Sequence, residues 1–462
     1  MITAYGFGLS NVSIMKRTWS YYIGSLFLTS RFYLGMVGCA IFFIFRFFLP
    51  WLGILPYVAL LIFICLVVAD YLFLFATKDG IRAWRSHAER FSNGDENPVQ
   101  IRLSSRYGHS VLAQVIDEIP HQFQRRDVLF GSTIPAGGTI VIDYNLRPVK
   151  RGVYNFGSIQ VYIKGFFRLV SRRYQFRQHA DVPVYPSYIQ MRKYQLMAIS
   201  HRLSEIGIKK VRRLGHSMEF EQIRDYVQGD DYRTLNWKAT ARKGGLMVNN
   251  FTDEKSQQLY CIIDKGRVMK MPFEGLSLLD YAINATLVLS NVALLKEDKA
   301  GLITFSEKVG AFLPANKKPT QMQLILELLY NQKTRYLESD YEQLYVELRR
   351  KVNQRSLVLL FTNFESLNGM RRQLPYLRKI AQHHLLVTVF FENTELKAVL
   401  NAPANTVEEV YTKTIAEKFA YEKRLIAKEL EQFGITSILT PPAQLTVQAL
   451  NKYLELKARQ SG

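Results

Sequence analysis

Two apolar stretches joined by a single proline constrain this chain more than anything else in it. Phe32–Leu49 reads FYLGMVGCAIFFIFRFFL and Trp51–Phe75 reads WLGILPYVALLIFICLVVADYLFLF. Each is about as long as the ~20 residues a helix needs to cross a bilayer core. The link at Pro50 is so short that the pair is expected to form a transmembrane hairpin, residues 32–75, with both outer ends on one side. Arg46 lies near a terminus, from which a long cationic side chain can snorkel to the interface. Tyr33, Trp51, Tyr57 and Tyr71 suit interfacial belts. Asp70 is expected to be a solvated flank about one turn from the end, the alternative being an intramembrane functional site. Lys16, Arg17 and Arg31 precede the first stretch, and Lys78, Arg82, Arg85 and Arg90 follow the second. The positive-inside rule then puts both termini, and everything after Phe75, on the cytoplasmic side.

Mean hydropathy near zero hides this hairpin, because polar domains dilute it over 462 residues. Three cysteines exclude a disulfide framework and a cysteine-based zinc site. Sixty Lys+Arg against 39 Asp+Glu give +21, which points to nucleic acid or an anionic membrane surface.

After a cytoplasmic N-terminal segment (1–31) and the hairpin, residues 76–96 read as a juxtamembrane helix or linker. Residues 97–190 change to short alternating runs, at 100–103, 110–115, 139–144, 157–163 and 174–176, with turn signals between them. That spacing predicts a small antiparallel β-sandwich. Between Arg147 and Arg177 stand Arg147, Lys150, Arg151, Lys164, Arg168, Arg172, Arg173 and Arg177, without one acidic residue. Interleaved aromatics would suit a single-stranded nucleic-acid platform. Tethering beside a membrane favours lipid headgroups instead, and no nucleic-acid motif supports the first reading.

Residues 219–248 read EFEQIRDYVQGDDYRTLNWKATARKGGLMV. Gly229-Asp230-Asp231 is a turn whose second Asp can cap a helix running from about 232 to 243 and ending at Gly244-Gly245. Trp237 and Ala241 share a face, so the indole is expected to pack inward. Arg224, Arg233, Lys238 and Arg242 stand close to Glu219, Glu221, Asp225, Asp230 and Asp231, as an ion-pair network would require. Paired carboxylates at Asp230 and Asp231 could instead serve acid–base chemistry or a metal. The structural role is favoured.

This segment resembles the signature of the DUF58 family, whose bacterial members are usually a membrane hairpin, a β domain and a von Willebrand A-like domain. The matching positions include Glu219, Arg224, Tyr226, Gly229, Asp230, Asp231, Arg233, Trp237, Lys238 and Arg242. Arg151-Gly152-Val153-Tyr154 with Gly157, and Val182–Pro186, add to it. Lys164-Gly165-Phe166-Phe167 departs from the pattern, since many members carry an acidic residue and a proline there. The resemblance implies partnership with a MoxR-type AAA+ ATPase in envelope maintenance, complex assembly or stress response. Residues 191–256 form the signature region in this division.

Residues 257–462 alternate strands and helices, which predicts a mainly parallel, doubly wound α/β sheet. The resemblance implies that this is the von Willebrand A-like domain, a type that often holds Mg²⁺ at the carboxyl edge of its sheet through Asp-x-Ser-x-Ser, a Thr and a second Asp. Here Asp264 is present, but Gly266 and Val268 fill the serine positions and Asn363 stands at the second Asp. Thr334 or Ser339 could contribute from the intervening loop. Lys265 and Arg267 add positive charge. No cofactor or metal is expected, and the rim formed by Asp264, Lys265, Arg267 and Asn363 becomes a partner-binding candidate. Without a P-loop or GxGxxG, nucleotide binding has no support.

Overall fold

A computed structural model of the chain describes residues 24–125, 128–199, 219–228, 230–252, 257–404 and 406–460. Gly229 and the cations Lys16 and Arg17 lie outside the described residues. The chain divides into two compact units, 1–184 and 185–462.

In the first unit, strand β1 (Leu26–Leu28) leads into helix α1 (Ser30–Phe48). Thr29 caps α1, its hydroxyl accepting from the Phe32 amide. Pro50 opens a tight turn into α2 (Leu55–Phe75), with Pro56 in the first turn, where its missing N–H would be unpaired anyway. Both helices are long and apolar enough to cross a membrane, and their apolar surface is mostly uncovered by protein: no α1 residue is buried.

The strands that follow are β2 (Ile81–His87), β3 (Phe91–Ser92), β4 (Asn97–Ser105), β5 (Val111–Asp117) and β6 (Leu129–Ile134). Then come β7 (Thr139–Leu146), β8 (Gly152–Phe156), β9 (Ile159–Lys164), β10 (Val170–Phe176) and β11 (Ala180–Tyr185). They pair in three sheets, β1-β10-β9-β5-β6, β2-β4-β7 and β3-β11-β8. Strict alternation along β4 and β5 turns Val99, Ile101, Leu103, Val111, Ala113 and Val115 into one shared core with Phe91, Phe156 and Val161. Inside it, Arg85 forks onto the Asp117 carboxylate and also donates to the Gly157 carbonyl at 3.1 Å.

Three expectations change in this unit. The 76–96 segment, expected to be a juxtamembrane helix or linker, contains strand β2, paired along its length with β4. Its alternation was masked because the inward-facing Arg85 is charged. Asp70 is fully buried rather than solvated: it accepts the amides of Phe167, Leu169 and Val170 at 3.3, 2.9 and 3.0 Å. Arg172 is withdrawn from the basic block. It is 2% exposed, donates to the Leu74 and Thr77 carbonyls at 2.9 Å each, and lies over the rings of Phe75 and Tyr174.

In the second unit, α3 (Tyr188–Ile199) precedes the hairpin β12 (Glu219–Asp225) and β13 (Met247–Thr252), which enclose α4 (Trp237–Lys243). A six-stranded sheet follows, made of β14 (Gln258–Asp264), β17 (Lys299–Phe305), β18 (Val309–Asn316), β19 (Leu357–Phe361), β20 (Leu385–Phe391) and β21 (Thr436–Thr440). A two-residue hairpin, β15 (Pro272–Phe273) and β16 (Leu276–Ser277), interrupts the first crossover. The helices are α5 (Leu278–Leu295), α6 (Gln321–Tyr330), α7 (Tyr341–Lys351) and α8 (Leu367–His383). They continue with α9 (Thr394–Asn401), α10 (Val407–Gln432) and α11 (Leu445–Gln460).

Strand order is β18-β17-β14-β19-β20-β21, parallel throughout except for β18 against β17. Because both faces are covered, β14 reads as a continuous apolar run. Leu259, Cys261 and Ile263 meet α5, α6 and α11 on one face. Tyr260 and Ile262 meet α7, α8 and α10 on the other. Helix α5 also has the length and hydropathy of a membrane span, yet 83% of that stretch is buried inside the unit. A Ser277/Asp280 capping box starts it.

Candidate functional site

The chain leaves β14 and returns on opposite sides of it, to β17 and then to β19. The carboxyl ends of β14 and β19 therefore border the crevice where ligands of open α/β sheets bind. Asp264 ends β14, and Thr362 and Asn363 follow β19. Asp264 is fully buried. One of its oxygens accepts the Gly266 amide at 2.8 Å and the Ser339 hydroxyl; the other accepts the Thr362 hydroxyl at 2.7 Å and the Tyr341 hydroxyl at 3.4 Å. Tyr341 and Thr362 also share a hydrogen bond at 2.6 Å. Burial pushes the Asp264 carboxyl above its usual range, and the bonds from Ser339, Gly266, Thr362 and Tyr341 pull against it.

These residues do not fit the Mg²⁺ site described above for that type of domain. Asp264 is the one carboxylate of the cluster, and its oxygens accept from donors of the same chain. The hydroxyl of Ser339 lies where a side chain on residue 266 would project, so a serine there would collide with it. Ser339, not Thr334, is the intervening-loop residue that reaches Asp264.

A cleft of about 180 Å³ opens over this carboxylate, lined among others by Arg267, Glu338, Asn363, Glu365 and Arg372. The positive rim expected from Lys265 and Arg267 is largely offset. Arg267 pairs with Glu365 at 3.1 Å and Glu338 at 3.5 Å. Lys265 is half-buried, and burial lowers its ammonium pKa, as does Arg335, while Glu307 raises it. Asn363 accepts from Lys423 of α10 at 2.5 Å, and the same ammonium reaches the Phe364 carbonyl at 2.5 Å. Burial holds Lys423 down at about 8. Sequence reasoning missed Tyr341, Thr362 and Lys423. Thr362 was within one residue of a flagged position; Lys423 lies in a charge-rich helix whose local pattern does not single it out.

The signature residues form a separate arrangement. Arg224 on β12 forks onto Asp230 at 2.8 and 2.7 Å, and Asp230 also accepts the Val227 amide at 2.9 Å. The Arg224 hydrogen bond, then that amide, hold the Asp230 carboxyl below its usual range. Asp231 caps a 3-10 turn over Tyr232–Thr234 through the Arg233 amide at 3.0 Å. The two carboxylates thus serve different partners. Lys243 pairs with Asp225 at 2.9 Å, using a cation outside the expected set.

The expected helix over 232–243 is split. Its second part, α4, starts at Trp237 with Asn236 as its cap, and ends at Gly244, whose φ of 76° admits glycine readily. Trp237 points outward instead of inward, at 69% exposure, and Ala241 is exposed beside it. A seven-residue helix has one covered side, and here Ala239 and Thr240 face it, the latter accepting the Met247 amide at 2.9 Å. Tyr226 stacks on Tyr232 with ring centroids 6.2 Å apart. Lys238 and Arg242 line a shallow depression with Ile223 and Met247.

Residues 222–399 match the family model described as "Protein of unknown function DUF58", so the resemblance read from the signature holds over that region. "Uncharacterized protein YeaD" of Bacillus subtilis (strain 168) is 29% identical over 129 residues, 28% of this chain. The match spans 31%, about a third, of that relative's length. Among solved structures, the conserved hypothetical protein BatB from Bacteroides thetaiotaomicron shares 12% identity over 44% of this chain and 100% of its own, with a TM-score of 0.30. The PapD-like domain 7 of human CEP192 shares 10% over 24% and 91% of the two chains, with a TM-score of 0.19. At those scores neither likeness carries an argument about fold.

Proposed function

We propose that this chain is a membrane-anchored, cytoplasm-facing interaction protein without catalysis of its own. It works with a MoxR-type AAA+ ATPase in envelope maintenance, complex assembly or stress response, and contacts other membrane or envelope proteins. In this reading α1 and α2 form a multi-pass anchor in the bacterial inner membrane with both termini cytoplasmic. The strands of the first unit make a small sandwich. The parallel sheet of the second is a von Willebrand A-like domain whose rim receives the partner.

The observation that carries the reading is the closure of Asp264 by four donors of its own chain. A carboxylate so satisfied leaves the cleft above it to bind through side chains rather than through an ion. The acid–base alternative needs Asp230 and Asp231 on one substrate, whereas each is engaged with a different partner. The nucleic-acid alternative loses Arg172 to the interior.

The test is affinity purification of the full chain from solubilised membranes, with and without EDTA. Co-purification of an AAA+ ATPase in both, reduced by Arg372→Glu at the cleft, is the expected result. Loss of the ATPase on chelation would show that a divalent ion is required and would sink this account of the rim.

A further inference from the structure

The end of the first unit from which both apolar helices depart carries a loop that fold stability alone does not explain. Lys164 pairs with Ser171 and with Leu112, and Val170 pairs with Leu28. Residues 165–169 therefore lie at the same end of the five-stranded sheet as the entry to α1. The loop is clamped from both helices. Asp70 of α2 accepts three of its amides, as described above, and Gly165 lies so close to that carboxylate that a Cβ would collide with it. Thr29, the cap of α1, donates to the carbonyls of Arg168 and Leu169, at 2.6 and 3.0 Å in turn.

What the clamp presents is apolar and cationic. Phe166 is 77% exposed, while Phe27 and Leu28 on β1 are 39% and 41% exposed. Arg168 is exposed and held at φ 59°, a conformation that disfavours side chains with a Cβ. Arg173 lies over the Phe27 ring, 5.3 Å from its centroid. A rigid loop that turns an aromatic ring outward beside two uncovered apolar helices has the composition of an interfacial anchor: apolar residues for the acyl boundary, cations for anionic headgroups.

We propose that the 165–169 loop, with Phe27, is a membrane-contact site, in which Phe166 enters the headgroup–acyl boundary and Arg168 and Arg173 meet anionic lipid. The proposal rests on the anchored reading of α1 and α2. Its occupant is the bilayer, because the patch is continuous with those two helices and its cations complement anionic lipid.

The experiment places a nitroxide at Phe166→Cys in the full chain, with Cys39 and Cys65 changed to Ala and the buried Cys261 retained, in nanodiscs with and without phosphatidylglycerol. Ile41→Cys in α1 serves as the span control. Leu129→Cys on β6 serves as the solvent control, since Ile116, its partner in register, lies at the far end of β5 from Leu112. Collision with oxygen and with a water-soluble nickel complex is compared. At Phe166 the oxygen-to-nickel ratio should be several-fold above that at Leu129 and below that at Ile41. It should rise with anionic lipid, and Arg168→Gln should remove the rise. A ratio equal to that at Leu129, with Ile41 deep, overturns the site and leaves the anchor intact. Protection from both reagents means that protein covers the loop, which also overturns it. A solvent-like ratio at Ile41 overturns the anchored reading and this proposal together.

Discussion

Asp70, Asp117, Arg172 and Asp264 are charges in a chain rich in them, yet all four are buried. Each is held by hydrogen bonds to groups of its own chain, the condition under which burial is tolerated. Removing one partner leaves the other stranded. Asp117→Ala leaves Arg85 buried without its carboxylate and should cost about 3–5 kcal/mol, measured by thermal unfolding of the solubilised chain. Asp70→Ala strands three amides and should cost about 2 kcal/mol or more, while Asp70→Asn, which keeps one acceptor oxygen, should lose less. Lys423 offers a pH test. Its folded-state pKa is depressed to about 8, so the stability linked to that shift is present above its unfolded value and is lost as pH falls through about 8. From about pH 7 to about pH 10 the wild-type chain should gain on Lys423→Met by up to about 3 kcal/mol, in paired denaturant titrations.

At the scale of elements, strands and helices of the second unit follow their sequence signals closely, because parallel strands covered on both faces are continuous apolar runs and their helices alternate with them. β14, β19 and β20 are such runs. Two departures have an identifiable local cause. β2 carries Arg85 on its inward face, so its alternation is broken at the position where Asp117 compensates the charge. The signature helix was read as one piece because Asp231 is a good cap. A second cap, Asn236, starts α4 afresh. Asn236→Ala should cost about 1 kcal/mol. Gly244→Ala, at positive φ, should cost about as much. Amide exchange should localise both effects to α4 and its flanks.

On the scale of the whole molecule, three helices among the described residues have the length and hydropathy of membrane spans. Composition does not separate them; α5 is wrapped by its own unit, while α1 and α2 have little protein around them. The proposed topology predicts that a membrane-impermeant maleimide added to intact cells labels Trp51→Cys, at the turn between α1 and α2. Leu129→Cys should react only after permeabilisation. Labelling of Leu129→Cys but not of Trp51→Cys from outside would reverse the orientation.

Hydrophobic length and period are local properties, which is why the sequence alone determined the apolar hairpin, the β-then-α/β order, the DUF58 resemblance and the position of Asp264. Only the tertiary structure decided which charges leave water and what they do there. Asp70 finds its amides 97 to 100 residues away, and Asp264 finds Ser339 and Thr362 at 75 and 98 residues. A side chain's local pattern carries no information about partners that distant. Yet those partners decide whether a carboxylate is a solvated flank, a metal ligand or, as in both cases here, a buried acceptor that fixes the loop around it.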